Sequence, residues 1–213
     1  MGRRLQPAGS HRSVGAGFSR PWSHPSVGAG FSRPFQFQLG SDIAIAGIMT
    51  DYPEHLPGFS YVGCHRYFLT FCTHERRTLF ECAETVDATW AHFLRTAIEE
   101  DIEIVAYCFM HDHVHMVVEG KSESADLKRF ICRAKQRSGY AYGKAHEGER
   151  LWQRYGYEHV LRDEESTERV VAYVLENPVR KGWVVHPREY PHIGSQLYGL
   201  NELLEFAYGR RAG

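Results

Sequence analysis

The stretch FMHDHVHMVVEG, from Phe109 to Gly120, sets two histidines on either side of one valine. In an extended strand, residues i and i+2 point the same way. His113 and His115 therefore share one face, while Val114, Met116 and Val118 share the other. Neutral imidazole is a ligand for divalent metals, and two rings from one strand can supply two ligands of a single ion. By itself the pair is a weak signal, because two histidines around an apolar residue also occur incidentally on exposed strands. A second chemistry-bearing stretch lies further on. In STERVVAYVLEN, Ser166 to Asn177, the residues Val170, Val171, Val174 and Leu175 form the apolar face of a helix. At about 100° per residue, Arg169, Tyr173 and Asn177 fall on a separate stripe, roughly 130° from that face. A buried packing role is the ordinary one for a tyrosine. Tyr173 and Asn177, however, stand four residues apart, one above the other, so a single helix presents a phenol and an amide oxygen toward a metal-bearing sheet.

The surrounding sequence supplies the elements that position these groups. YVGCHRYFLTFCTH, Tyr61 to His74, is rich in β-branched and aromatic residues and predicts a strand. Val86, Trp90, Phe93, Leu94, Ala97 and Ile98 recur at helical spacing within Glu84 to Asp101. Glu103–Met110 and His113–Gly120 predict two short strands joined by a His111-Asp112 turn. A second helix follows, capped by Ser122 or Ser124 and ending near Gly148. Leu151–Asp163 predicts a fourth strand. The tyrosine-bearing helix begins after Asp163, with Glu164 and Glu165 suited to its N-terminus, and is closed by Pro178 and Gly182. The order β-α-β-β-α-β-α is α+β, a ferredoxin-like split βαβ sheet with an added C-terminal helix. Beyond Trp183 the pattern is too loose to assign elements.

Composition bounds the function. The chain has 213 residues, 43% hydrophobic and 24% charged, with a formal net charge of −1. That is the profile of one globular domain. No apolar run approaches the ~20 residues that span a bilayer, and the N-terminus lacks a signal-peptide core, so a cytoplasmic protein without a membrane partner is expected. The five cysteines are scattered without a Cys-x-x-Cys pair and predict reduced, mostly buried thiols. SVGAGFSRP occurs at Ser13–Pro21 and again at Ser26–Pro34, in a stretch dominated by Gly, Ser, Pro and Arg. Residues 1–48 are therefore expected to be disordered, leaving a folded domain over 49–185 and an extension over 186–213. Those first residues carry five of the 25 basic and one of the 26 acidic side chains, so the remainder is net acidic by five. That argues against a uniformly basic nucleic-acid binder. Yet Leu127 to His146 holds six basic residues and no acid, while acids gather at Glu99, Glu100, Asp101 and Glu103. A run of this kind is most often a solvated face.

The methionine-led His113-Val114-His115 strand, the run LWQRYGYEHVLRDEE and the helix YVLENPVRKGWV together resemble the REP-associated tyrosine transposases. These are a branch of the single-tyrosine HUH transposases of the insertion-sequence type. The similarity spans about Gly58 to Val185, and its motifs fall in family order on the same ferredoxin-like fold. It implies cleavage and rejoining of single-stranded DNA beside REP hairpins through a 5′-phosphotyrosine link, without an organic cofactor. By motif match Tyr173 is the nucleophile, and His113, His115 and Asn177 are ligands of Mg²⁺ or Mn²⁺. Two departures stand out. His111-Asp112 replaces the Pro-Asn often found before the first histidine, so His111 either competes for metal or caps the turn. Asn177 stands where the insertion-sequence branch carries Gln. The branch implies a monomer, with a dimer left open, in a nucleoid-associated cytoplasmic setting.

DNA contacts are expected from the basic helix, through Lys128, Arg129, Arg133, Lys135 and Arg137. Arg150, Trp152, Arg154 and Tyr155 offer cations and stacking groups for unpaired bases, although Trp152 also suits a core position. Tyr140, Tyr142 and Tyr157 rank below Tyr173 as nucleophiles. The repeat fits the same picture: VGAGFSR back-translates as GTG GGA GCG GGC TTC AGC CGC, similar to the head of a REP element. Met49 is then the expected translation start. Two other classes compete, a catalytically inactive hairpin-binding protein and a metal hydrolase using His111, His113 and His115 with water.

Overall fold

A computed structural model describes residues 59–154, 156–161 and 167–209. The expected disorder of residues 1–48 and the Met49 start lie outside that range.

The central sheet is built from β1 (Arg66–Cys72), β2 (Ile102–Met110), β3 (His113–Gly120), β4 (Tyr157–Val160) and β5 (Ile193–Gly194), in the order β4-β1-β3-β2-β5. All pairings are antiparallel. Among the described residues four α-helices accompany it: α1 (Ala83–Glu99), α2 (Leu127–Ala145), α3 (Thr167–Arg180) and α4 (Leu200–Tyr208). This is the expected ferredoxin-like order, with β5 and α4 added where the sequence suggested no element. Among the described residues no helix is long and apolar enough to cross a membrane.

Alternation along the strands divides the molecule into two cores. Leu69 and Phe71 of β1, Phe109 of β2 and Val114, Met116 and Val118 of β3 cluster with Phe93 of α1 and Phe130 of α2. On the other side, Phe68, Cys108, Met110 and Val117 cluster with Val171, Val174 and Leu175 of α3 and Leu203 and Leu204 of α4. In β2 the register shifts between Ile104 and Ala106. The bulge there reverses parity, so Ile104 and Phe109 both face the first core while Ala106 and Met110 face the second.

Local chemistry moves several expected boundaries. The cap of α2 is Asp126, whose side chain accepts from the Arg129 amide at 3.0 Å. Ser122 instead donates to Asp101 at 2.8 Å. The expected fourth strand shrinks to four residues. Trp152 makes only an isolated bridge to Thr73, and the carbonyls of Gln153 and Arg154 accept from Lys135 Nζ at 2.9 and 3.4 Å rather than from a neighbouring strand. Gly156 lets the chain pass over Phe71, since a Cβ there would lie 2.5 Å from that ring. Three of the five free cysteines, Cys64, Cys82 and Cys132, are exposed, contrary to the buried thiols expected.

Candidate active site

β3 delivers the histidine pair into the second core. Both imidazoles are buried, their rings meet edge to face, and their Nε2 atoms stand 3.1 Å apart. Each Nδ1 is held from behind by an oxygen. Asp112 Oδ1 lies 2.5 Å from His113 Nδ1, and Arg76 Nε lies 2.8 Å from the other carboxylate oxygen. Burial alone pushes the Asp112 pKa up, but the hydrogen bond from His113 and the charge of Arg76 outweigh it and hold the group below the usual carboxylate range. A carboxylate only accepts, so His113 carries its proton on Nδ1 and turns the Nε2 lone pair forward. Thr70 sits opposite His115 in the β1–β3 ladder and places Oγ1 2.8 Å from its Nδ1. A hydroxyl donates or accepts, so Thr70 accommodates both tautomers of His115. In one, His115 Nε2–H points to the His113 lone pair. In the other, Nδ1–H points to Thr70 and a second lone pair faces forward. Burial, reinforced by His113 and Arg76, pushes the His115 pKa well below the ordinary imidazole range and keeps the ring neutral.

This donor set fits a divalent cation. Two nitrogens each ~2.1 Å from one ion, at right angles about it, lie roughly 3.0 Å apart. The observed separation matches that edge, and both rings have the backing acceptors that ligating histidines use. Among the described residues no group of three or more His, Cys, Asp or Glu side chains forms a ligand set.

α3 brings the tyrosine alongside. The ring of Tyr173 is half-buried, 6.0 Å between centroids from His115 and 5.9 Å from Phe68. Arg180 Cζ lies 5.2 Å from the centroid of the same ring. Arg180 lies two helical turns on, at the end of α3. The expected stripe is only partly separate from the packed face, because Asn177 is buried with Val174, Leu175 and Pro178.

Asn177 has a structural duty besides. Pro178 does not end α3 but lies within its last turn, where it has no N–H to give the Val174 carbonyl four residues back. The Asn177 amide nitrogen donates to the Tyr173 carbonyl at 2.8 Å and reaches the Val174 carbonyl at 3.4 Å. With its nitrogen engaged by the helix, the Asn177 side chain has Oδ1 as its remaining acceptor.

His111 stands apart from the pair. Its ring stacks on Trp183 with centroids 3.7 Å apart, and its Nδ1 faces Glu81 at 3.1 Å. The three-histidine arrangement considered from sequence is not assembled.

The basic helix also differs from a free cationic face. Arg129 and Arg133 both engage the buried Glu100, and Arg137 pairs with Glu99 at 2.7 Å. Lys128 Nζ lies 4.4 Å from the Tyr61 ring centroid. Lys135 is tied to the 153–154 backbone, and burial pushes its pKa down to about 8. Trp152 is core, its indole N–H donating to Ser138 at 2.9 Å. Arg150 and Arg154 are exposed, and Tyr155 lies outside the described residues. An open cavity of about 610 Å³ between α2 and residues 148–152 is edged by Tyr140, Lys144 and Arg150. Sequence reasoning missed Thr70, Arg76 and Arg180. Only Thr70 left a trace, as the polar residue between Phe68 and Cys72 in the alternation of β1.

The profile of the family described as "Transposase IS200 like" matches residues 61–177, more than half of the chain and every group of the site just described except Arg180. The chain belongs to this family. Among curated transposases it is similar to the Haemophilus influenzae protein named "Putative REP-associated tyrosine transposase", with 24% identity over 136 residues, 59% of this chain and 77% of that protein. Among solved structures it resembles a REP-associated tyrosine transposase bound to a REP hairpin. The TM-score is 0.57 at 21% identity, over 68% of this chain and 82% of the other, a likeness of fold.

Proposed function

We propose that this IS200-like transposase is a metal-dependent nuclease and strand transferase that acts on single-stranded DNA beside REP-type hairpins through a covalent Tyr173 adduct. The observation that carries the reading is the placement of the Tyr173 ring against His115, whose Nε2 stands 3.1 Å from that of His113. In this reading His113 and His115 hold Mg²⁺ or Mn²⁺, with Asn177 Oδ1 as a third protein ligand. The cation would supply stabilisation of charge developing on the phosphate oxygens.

The protein's own part is the nucleophile. The Tyr173 phenol oxygen attacks phosphorus, the bond from phosphorus to the 3′ oxygen breaks, and the departing oxygen takes up a proton as a free 3′-hydroxyl. One phosphodiester is exchanged for another, so the reverse attack by a 3′-hydroxyl rejoins the strand and releases the tyrosine. An unperturbed phenol has a pKa of about 10, and the Arg180 guanidinium lies over the Tyr173 ring. The relative that is itself bound to a REP hairpin supports this class of DNA as the partner.

The test is a denaturing gel of a single-stranded REP hairpin incubated with Mn²⁺ and the full chain. The expected result is a protein–DNA adduct and a nicked product, both lost in Tyr173→Phe. Cleavage that survives the substitution would assign the chemistry to water. Hairpin binding by the wild type without cleavage would identify a binding protein only.

A further inference from the structure

The segment after β1 clasps the β2–β3 turn. Thr73, fully buried, donates its backbone N–H to the Asp112 carbonyl at 2.9 Å, and its hydroxyl lies between the Arg77 carbonyl at 2.7 Å and the Asp112 carbonyl at 2.9 Å. The Phe80 amide donates to the His111 carbonyl at 2.9 Å. Within this clasp two consecutive residues with side chains, Glu75 (φ 55°) and Arg76 (φ 57°), adopt the left-handed conformation that such residues normally avoid. The contorted backbone aims Arg76 at the site. Its Nη1 donates to Cys72 Sγ at 2.7 Å and its Nε to Asp112 Oδ2 at 2.8 Å. Cys72 lies directly opposite His113 in the β1–β3 ladder, so the guanidinium bridges the end of β1 and the turn that leads into the histidine pair. The second oxygen of Asp112 is left for His113 Nδ1.

We propose that Arg76 is a positioning residue for the imidazole pair: by pinning Asp112 it holds His113 in the one tautomer and ring orientation that point its Nε2 lone pair at His115. This rests on reading the pair as a divalent-cation site. The geometry separates the role from a packing role. The clasp is made by Thr73 and by backbone groups, so it does not need the guanidinium, and the Arg76 side chain is 43% exposed. Without Arg76 the Asp112 carboxylate, itself 24% exposed, is free to turn toward water. His113 then loses the acceptor that fixes its proton on Nδ1, and a fraction of rings carries the proton on Nε2, where it blocks a ligand position.

Two measurements on the full chain test this. In isothermal titration with Mn²⁺ alone, Arg76→Ala should weaken binding by about tenfold or more, the usual effect of removing an outer partner of a ligating histidine. Arg76→Lys, which can still pair with Asp112, should recover part of the loss. Arg77→Ala, which removes an exposed pair with Glu149 in the same turn, should leave binding unchanged. In metal-free protein, imidazole ¹⁵N spectra should show His113 as a single Nδ1–H tautomer in the wild type and as a mixture in Arg76→Ala. Equal Mn²⁺ affinity and an unchanged His113 tautomer in Arg76→Ala would overturn the role of Arg76 while leaving the metal centre standing. A wild-type chain that binds no Mn²⁺ would overturn both. A drop in melting temperature with neither readout altered would make Arg76 a structural residue.

Discussion

Val114, Met116 and Val118 on one side of β3 and His113 and His115 on the other are all buried, yet by different means. The apolar side chains fill space against Phe93 and Phe130 and need nothing beyond exclusion from water. On the opposite face each imidazole Nδ1 has a defined oxygen partner, and the two remaining nitrogens face one another. Buried polar groups carry a desolvation cost unless they are paired, so a strand that accepts two of them on one face, with backing acceptors on both, is organised for more than cohesion. Burial does not separate core from site in this protein. The inventory of partners does.

Substitutions on the two sides of β3 should therefore fail differently. His113→Ala should cut cleavage of a REP-type hairpin by at least about 100-fold, because the site loses several kcal/mol of charge stabilisation. Its native-gel shift with the same DNA should be largely kept. Met116→Ala, one residue beyond His115 and facing the other way, should lower unfolding free energy by about 2–5 kcal/mol in denaturant titrations. It should leave cleavage per folded molecule near wild type. Equal destabilisation by both, with DNA binding lost in both, would erase the distinction between the faces.

The helix layer repeats the contrast at its surface. Arg129 and Arg133 neutralise a buried carboxylate, Glu100, whereas Arg150 is exposed at the edge of the cavity. Removing Arg129 and Arg133 together should lower the melting temperature by stranding that carboxylate.

Stability should also respond to pH through His115. Burial depresses the His115 pKa, so below the unfolded-state value of about 6.5 the unfolded chain binds a proton that the native ring refuses. His115 thus makes stability fall as pH drops below about 6.5, toward the lower native pKa. His115→Gln should flatten that slope in unfolding titrations run from pH 7.5 to 5, and an unchanged slope would place the sensitivity elsewhere. The smallest effect belongs to the exposed cation. Arg150→Ala should weaken DNA binding modestly and reduce the slope of log K against log salt by about 1. If Arg129→Ala with Arg133→Ala reduced that slope by more, α2 would serve DNA more than Glu100.

Much of this was legible in residue order, because the signals are local. Period-two alternation placed His113 and His115 on one side of β3, the two-residue turn paired β2 with β3, and helical spacing put Tyr173 and Asn177 on one helix. What escaped depends on contacts across the chain. Arg76 is ordinary in sequence, and only the clasp of Thr73 on Asp112 turns it toward the site. Pro178 suggested a helix end, but the Asn177 amide compensates for its missing donor and α3 continues to Arg180. The basic run and the acidic cluster were both visible. Their pairing was not, since it needs α1 and α2 side by side. α4 did leave a signal, with Leu200, Leu203, Leu204 and Ala207 at helical spacing, in a segment whose nine residues are too few to stand out.

The central claim is that two imidazoles and a phenol meet around one cation, and locating that cation tests it most directly. An anomalous difference map from a Mn²⁺-soaked crystal of the full chain should show one dominant peak about 2.2 Å from Nε2 of both His113 and His115. The Tyr173 side chain should lie beside it. A well-ordered histidine pair with no peak between the rings, or a peak with Tyr173 turned out of reach, would contradict the account.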